Sequence, residues 1–125
     1  MLIILVGLPG SGKTWYAQNV LKYDYFIDDP KGFFDFPTDV NGTIVIADPH
    51  LCSEHLRAKS ILPVMYPKHS IKWIFFENNP EKCRKNVEYR SKNGDNRNVL
   101  KCIEHLTKLY TIPDGSEIIE IWNPK

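Results

Sequence analysis

Residues 2–14 read Leu-Ile-Ile-Leu-Val-Gly-Leu-Pro-Gly-Ser-Gly-Lys-Thr: a short apolar run that opens directly into G-x-x-x-x-G-K-[ST] at residues 7–14. The order matters: apolar run first, glycine-rich loop second. A phosphate-binding loop works only between a buried strand and the start of a helix, and Leu2, Ile3, Ile4, Leu5 and Val6 supply that strand. Gly7, Gly10 and Gly12 are expected to turn the backbone through positive φ and bring bare N–H groups close to an anion. A helix starting at Lys13 would aim its N-terminus at the same phosphates. Lys13 would reach the β- and γ-phosphates, and the Thr14 hydroxyl would ligate Mg2+. Pro9 and Ser11 complete the loop. A mere glycine-rich turn has no need of Lys13 and Thr14 together after Gly12, so the stretch predicts a nucleoside triphosphate site.

Beyond this loop, strands alternate with helices. Residues 25–27 and 43–47 are apolar enough for buried strands, the second on both faces, and residues 71–76 form a fourth. Helices are expected over residues 13–21, with Ala17, Val20 and Leu21 inward, and over residues 53–62, capped by Ser53 and stopped by Pro63. A third follows Asn79-Pro80 through about Arg90, since proline suits the first helical position. A fourth covers residues 99–110, with Ile103, Leu106, Leu109 and Tyr110 at core spacing. Residues 28–42 hold Pro30, Gly32, Pro37 and Gly42 and read as loop. After the Pro113-Asp114-Gly115 turn, residues 117–122 alternate like a sheet-edge strand. The pattern predicts one P-loop NTPase-type domain over residues 1–125. Its architecture is a three-layer α/β/α with a mainly parallel central sheet of about five strands, binding ligands beyond the carboxyl ends of the strands.

Composition excludes several classes. At 125 residues with 42% hydrophobic and 25% charged residues, the chain has the make-up of an ordinary globular protein with one core. A net charge of +1 gives no global attraction to nucleic acid or membrane. Basic residues nevertheless concentrate in residues 68–108, which suits either a phosphate-rich ligand or a solvated helix face. Cys52, Cys83 and Cys102 are odd in number without a C-x-x-C pair, and His50, His55, His69 and His105 lack zinc-like spacing. Disulfides and a structural metal are not expected, and a reducing cytoplasm fits. Five apolar residues before Gly7 are too few for a signal peptide, and no stretch reaches a membrane span.

Three acidic residues fall at strand ends: Asp28 and Asp29 after the second strand, Asp48 after the third. At the rim that holds Lys13 they would supply a base for an attacking hydroxyl and an outer contact to Mg2+. Asp before Pro also favours turns for conformational reasons alone. Between the two neighbours the reading leans to Asp28 as base. Arg84, Arg90 and Arg97 lie on and beyond the helix after the fourth strand, where a guanidinium would neutralise charge developing on a γ-phosphate. Arg90 borders residues 91–96, a lid-like stretch. Tyr25, Phe33, Phe34 and Phe36 would either stack a base or cover the core. No guanine-reading N-K-x-D tetrad occurs, which argues against a GTPase switch.

With Pro9 in place, residues 7–14 resemble the loop of the phage-type polynucleotide 5′-hydroxyl kinase family. Tyr25-Phe26-Ile27-Asp28-Asp29 is similar to that family's segment carrying the base, and Ile46-Ala47-Asp48 to its substrate-contacting aspartate. Residues 77–90 look like its lid helix, with Arg90 the best match. Arg84 is near the place of an earlier arginine that Asn86 also fits. The resemblance implies transfer of the γ-phosphate of ATP, with Mg2+, to a hydroxyl, foremost the 5′ end of a polynucleotide. Catalysis would then rest on Lys13, Asp28 and Arg90, with Asp29, Asp48 and Arg84 toward the substrate. Residues 28–42 are shorter than the helical insert usual there. That favours an alternative acceptor, a nucleoside, nucleotide or other small metabolite; the reduced arginine set leaves open a further alternative, a nucleotide-binding module with little or no transfer.

Overall fold

The computed structural model describes residues 1–30, 35–37, 41–90, 94 and 96–124. Its centre is the apolar first strand β1 (Leu2–Val6), which burial on both sides obliges to pair twice. It lies between β3 (Ile44–Ala47) and β4 (Ile71–Phe76), with Leu5 opposite Ala47 and Val6 opposite Phe75. β2 (Tyr25–Asp28) pairs outside β3, and β5 (Glu117–Ile119) pairs outside β4. The sheet therefore runs β2-β3-β1-β4-β5, and every pairing is parallel. Because all the carboxyl ends point one way, the loops after β1, β2 and β3 share a rim.

Side-chain alternation splits the core into two layers. Leu2, Ile4, Val6, Ile44, Ile46 and Phe75 face one side. There they pack against Cys83 and Val87 of α4 (Pro80–Arg90) and Ile103 and Leu106 of α5 (Arg97–Leu109). Ile3, Leu5, Val45, Ala47, Ile74 and Phe76 face the other, where Ala17 of α1 (Lys13–Asn19) meets them. The expected three layers are present, with α1 covering its face as a helix of only 7 residues.

Several local expectations change. α1 ends at Asn19, and Val20 is 53% exposed instead of joining the core. The single helix expected over residues 53–62 is two: α2 (Glu54–Ala58), capped by the Ser53 hydroxyl, and α3 (Leu62–Met65). Pro63 does not stop a helix; it lies in the first turn of α3, where its missing N–H costs nothing. In α5, Ile103, Leu106 and Tyr110 turn inward as expected, but Leu109 is 44% exposed. β5 stops at Ile119, three residues short. Phe33 and Phe34, and most of the lid-like stretch after Arg90, lie outside the described residues. Phe36 packs half-buried against the core, and Tyr25 is 46% exposed.

Two polar anchors fix the rim. The Tyr110 hydroxyl sits between the carbonyl oxygens that end β1 and β4, Val6 O at 3.2 Å and Phe76 O closer still. Arg57 of α2 donates to Leu51 O (2.7 Å), Cys52 O (2.8 Å) and Thr111 O (2.8 Å). Its guanidinium also lies over the Phe75 ring. An antiparallel bridge between Ser53 and Tyr110 ties the same two segments. The turn that follows β3 is thereby held to the end of α5.

Candidate active site

The glycines of the loop are required for different reasons. Gly10 and Gly12 have φ of +85° and +95°, the left-handed region that favours glycine. Gly7 does not, which corrects the expectation of positive φ at all three. A Cβ on Gly7 would lie 2.5 Å from Ser11 Oγ and 3.0 Å from Phe76 Cβ, so close packing, not conformation, demands glycine there. A Cβ on Gly10 would meet the backbone oxygen of Cys83 at 2.5 Å, so this loop is pressed against α4. Around Gly12 there is open space. Gly12 caps α1 without a side-chain hydrogen bond, leaving the first N–H groups of the helix for an anion.

Lys13 is buried at the centre. Its ammonium donates to Gly7 O (2.7 Å), Leu8 O (3.0 Å) and Ser11 Oγ (3.3 Å), all within the loop. Burial lowers its pKa to about 8. Burial also pushes the neighbouring Cys52 and Cys83 thiols up, to about 12 and about 11, so neither is a ready nucleophile. The Thr14 hydroxyl donates to Asp28 Oδ2 at 3.2 Å, bringing the end of β2 to the start of α1.

A cleft of about 930 Å3 runs along this rim. It is lined by the phosphate loop, by Asp28 at the end of β2 with Asp29, Pro49 and His50 in the segments after β2 and β3, and by Asn86, Tyr89 and Arg90 of α4. Trp15, at 61% exposed, and Trp122, at 71%, add aromatic surface. Of the arginines singled out in the sequence, Arg90 lines the cleft. Arg84 is exposed on α4 and is not part of the lining. In its stead Asn86 donates to Gly10 O (2.9 Å) and Trp122 O (3.0 Å), joining the loop, α4 and the segment after β5.

At the acidic end, Asp29 adopts φ +49°, a left-handed conformation that aspartate tolerates better than most residues. Asp48 caps the turn after β3, with its Oδ1 accepting from the backbone N–H of His50 at 2.9 Å and lying 3.1 Å from His50 Nδ1. His50 Nδ1 is also 3.8 Å from Asp29 Oδ1. Ligand atoms of Asp29, Asp48 and His50 lie within 4.8 Å of one another, near enough to share one bound group. His50 escaped the sequence reading, which tested the histidines only for zinc spacing. The sole signal was its position two residues beyond Asp48. Trp15, Tyr89 and Trp122 carried no motif at all.

The residues fit a magnesium–triphosphate. Gly12 cannot carry a side chain without strain, the first N–H groups of α1 are uncapped, and Lys13 sits beneath with Thr14 beside a carboxylate. No helix among the described residues is long and apolar enough to cross a membrane.

No protein-family model matches the chain. An uncharacterized protein of Acanthamoeba polyphaga mimivirus is 32% identical over 131 residues, spanning 93% of this chain and 90% of that protein. Among solved structures, a gluconokinase from Sinorhizobium meliloti 1021 superposes with a TM-score of 0.62. The match covers 98% of this chain and 83% of that one at 15% identity. The likeness establishes the P-loop, kinase-type fold of the sheet and its helices.

Proposed function

The chain belongs to the same family as the mimivirus protein, and we propose that it is a P-loop kinase that moves the γ-phosphate of ATP to a hydroxyl acceptor. The observation that carries this is the Thr14–Asp28 hydrogen bond beneath the cleft, which joins a metal-binding hydroxyl to a carboxylate at the acceptor end. Mg2+ would be held by Thr14 and by the phosphates, and would screen charge on the transferring group. Lys13 would exchange its loop carbonyls for β- and γ-phosphate oxygens. The acceptor oxygen bonds to the γ-phosphorus as the bond to the ADP oxygen breaks, and its proton passes to Asp28. Arg90 would neutralise charge from the α4 side. Trp15, Tyr89 and Trp122 offer ring faces for the nucleobase.

The acceptor implied by the resemblance is a polynucleotide 5′-hydroxyl. A small hydroxyl-bearing metabolite is the better supported reading. Residues 29–43, between β2 and β3, leave little chain to grip a polymer, and the acceptor end is acidic. The fold neighbour being a gluconokinase agrees with a small acceptor. ADP release from Mg-ATP, followed with pooled small alcohols and with 5′-hydroxyl oligonucleotides, tests the proposal. Acceptor-dependent release that Lys13→Ala abolishes supports it. Release equal in the two proteins refutes the assigned role.

A further inference from the structure

We infer that His50, oriented by Asp48 and flanked by Asp29, is the group that clasps the acceptor, and that the acceptor is an uncharged polyhydroxyl compound, a sugar or polyol. The inference rests on the kinase reading of the cleft and narrows its substrate. An ionised carboxylate only accepts, so the ring Nδ1, 3.1 Å from Asp48 Oδ1, carries the proton. In the neutral ring Nε2 is then an acceptor, fixed in tautomer as a carboxylate fixes a working histidine. The same Asp48 oxygen takes the backbone N–H of His50, so ring and main chain are held together.

The platform beneath is rigid. His50 lies in the turn Pro49–Cys52, whose last two carbonyls are bound by the Arg57 guanidinium. That turn is further linked through Thr111 N–H to Cys52 O at 3.2 Å. The His50 side chain is nevertheless 58% exposed and lines the cleft beside Asp28 and Asp29. A rigid mount with a solvent-facing tip is what a recognition group needs.

The charge pattern selects the ligand. Asp28, Asp29 and Asp48 put three carboxylates at this end. Among the described residues from Tyr25 to Tyr66 the only basic side chains besides histidine are Arg57, committed to carbonyls, and Lys59. The basic side chains besides histidine among the described lining residues, Lys13 and Arg90, are assigned to the triphosphate, so a phosphodiester or carboxylate on the acceptor would meet like charge with little compensation. Hydroxyl groups donate to carboxylates and to a bare imidazole nitrogen. Asp29 Oδ1 and Asp48 Oδ1 lie 3.8 Å and 3.1 Å from His50 Nδ1, so the two carboxylates and the ring stand close enough to take neighbouring hydroxyls of one molecule. The hydroxyl that reacts lies next to those held. Its oxygen bonds to the γ-phosphorus, ADP departs, and its proton goes to Asp28.

The test measures ADP release with glycerol, myo-inositol, D-ribose and D-glucose, against D-gluconate and a 5′-hydroxyl tetranucleotide, in wild type, His50→Ala and His50→Asn. Mg-ATP binding is measured by calorimetry in each protein. Stimulation by a neutral probe is expected. His50→Ala should raise that probe's KM by about tenfold or more while leaving the ATP affinity within about twofold. His50→Asn, whose amide both donates and accepts, should recover part of the loss. Stimulation only by the anionic probes, stimulation by none, or an acceptor KM unmoved in His50→Ala each overturn the inference. A wild type that binds no Mg-ATP removes the kinase reading itself, which separates the two failures.

Discussion

The hydroxyl of Thr14, at the start of α1, donates to the carboxylate of Asp28, at the end of β2, across 3.2 Å. Fourteen positions apart in sequence, the two are joined because β2 lies two strands from β1 with both carboxyl ends on one rim. In the proposed transfer this pair would serve the metal and the acceptor at once. Thr14→Val keeps the shape and removes the ligand; Asp28→Asn keeps the shape and removes the charge. Each should lower kcat by about 10^2-fold or more. The melting temperature should stay within a few degrees, because this one hydrogen bond is exposed.

Lys13 provides the pH dependence. Burial holds its pKa at about 8, below the ordinary lysine value of 10.5, so between these the unfolded chain binds more protons than the folded one. The fold therefore carries the cost of the buried charge below pH 8 and sheds it as pH rises toward 10.5. Nucleotide binding has the opposite sign. Phosphates need the ammonium, so binding at pH 8 to 9 should take up a proton. Mg-ATP affinity should fall above about pH 8, at most about tenfold per pH unit. Calorimetric titration in buffers of different ionisation enthalpy reads both.

Gly10 and Gly12 should separate stability from binding. Gly10→Ala places a Cβ 2.5 Å from Cys83 O and 2.9 Å from Val87 Cγ2 at a positive φ, so at least about 2 kcal/mol of stability should be lost. Gly12→Ala meets no atom and should cost about 1 to 2 kcal/mol through φ alone. Urea melts compare the two. Equal losses in the two variants would contradict the open space around Gly12.

Tyr110→Phe removes the hydroxyl shared by the Val6 and Phe76 carbonyls. With Tyr110 only 7% exposed, water does not readily replace it, and about 1 to 3 kcal/mol should be lost. Because those carbonyls end the strands next to the phosphate loop, ATP affinity should also weaken. An unchanged denaturation midpoint would show that the contact contributes nothing net.

Trp122→Ala tests the proposed stacking of the nucleobase on this side chain, which lines the cleft. Stacking on an aromatic face is worth about 1 to 3 kcal/mol, so the Kd for ATP should rise about tenfold, while that for tripolyphosphate, which has no base, should not move. Equal loss for both ligands would place Trp122 among residues that support the phosphate loop.

Much of this was legible in the chain, and for stated reasons. Leu2–Val6 could be read because a strand buried on both faces must be apolar throughout, and the loop after it because phosphate binding limits the residue types. Asp28 and Asp48 could be placed on one rim because parallel strands put all their carboxyl ends together. The split at Pro63 was not legible: a proline that ends one helix and a proline that begins another look alike until tertiary packing chooses. His50 was hidden because its significance comes from a hydrogen bond to Asp48, not from spacing to other ligands. Asn86 gave a faint signal, in the place of an arginine, but its grip on Gly10 and Trp122 joins parts of the chain that only folding brings together.

The most direct test of the central claim is transfer of label from γ-labelled ATP with Mg2+, run in parallel on sugars and polyols, nucleosides, nucleoside monophosphates and 5′-hydroxyl oligonucleotides, with Lys13→Ala as the blank. The account predicts a labelled phosphoester on a neutral hydroxyl compound in wild type and none in the blank. ATP bound tightly with no label on any acceptor would contradict it and leave the cleft a nucleotide-binding module.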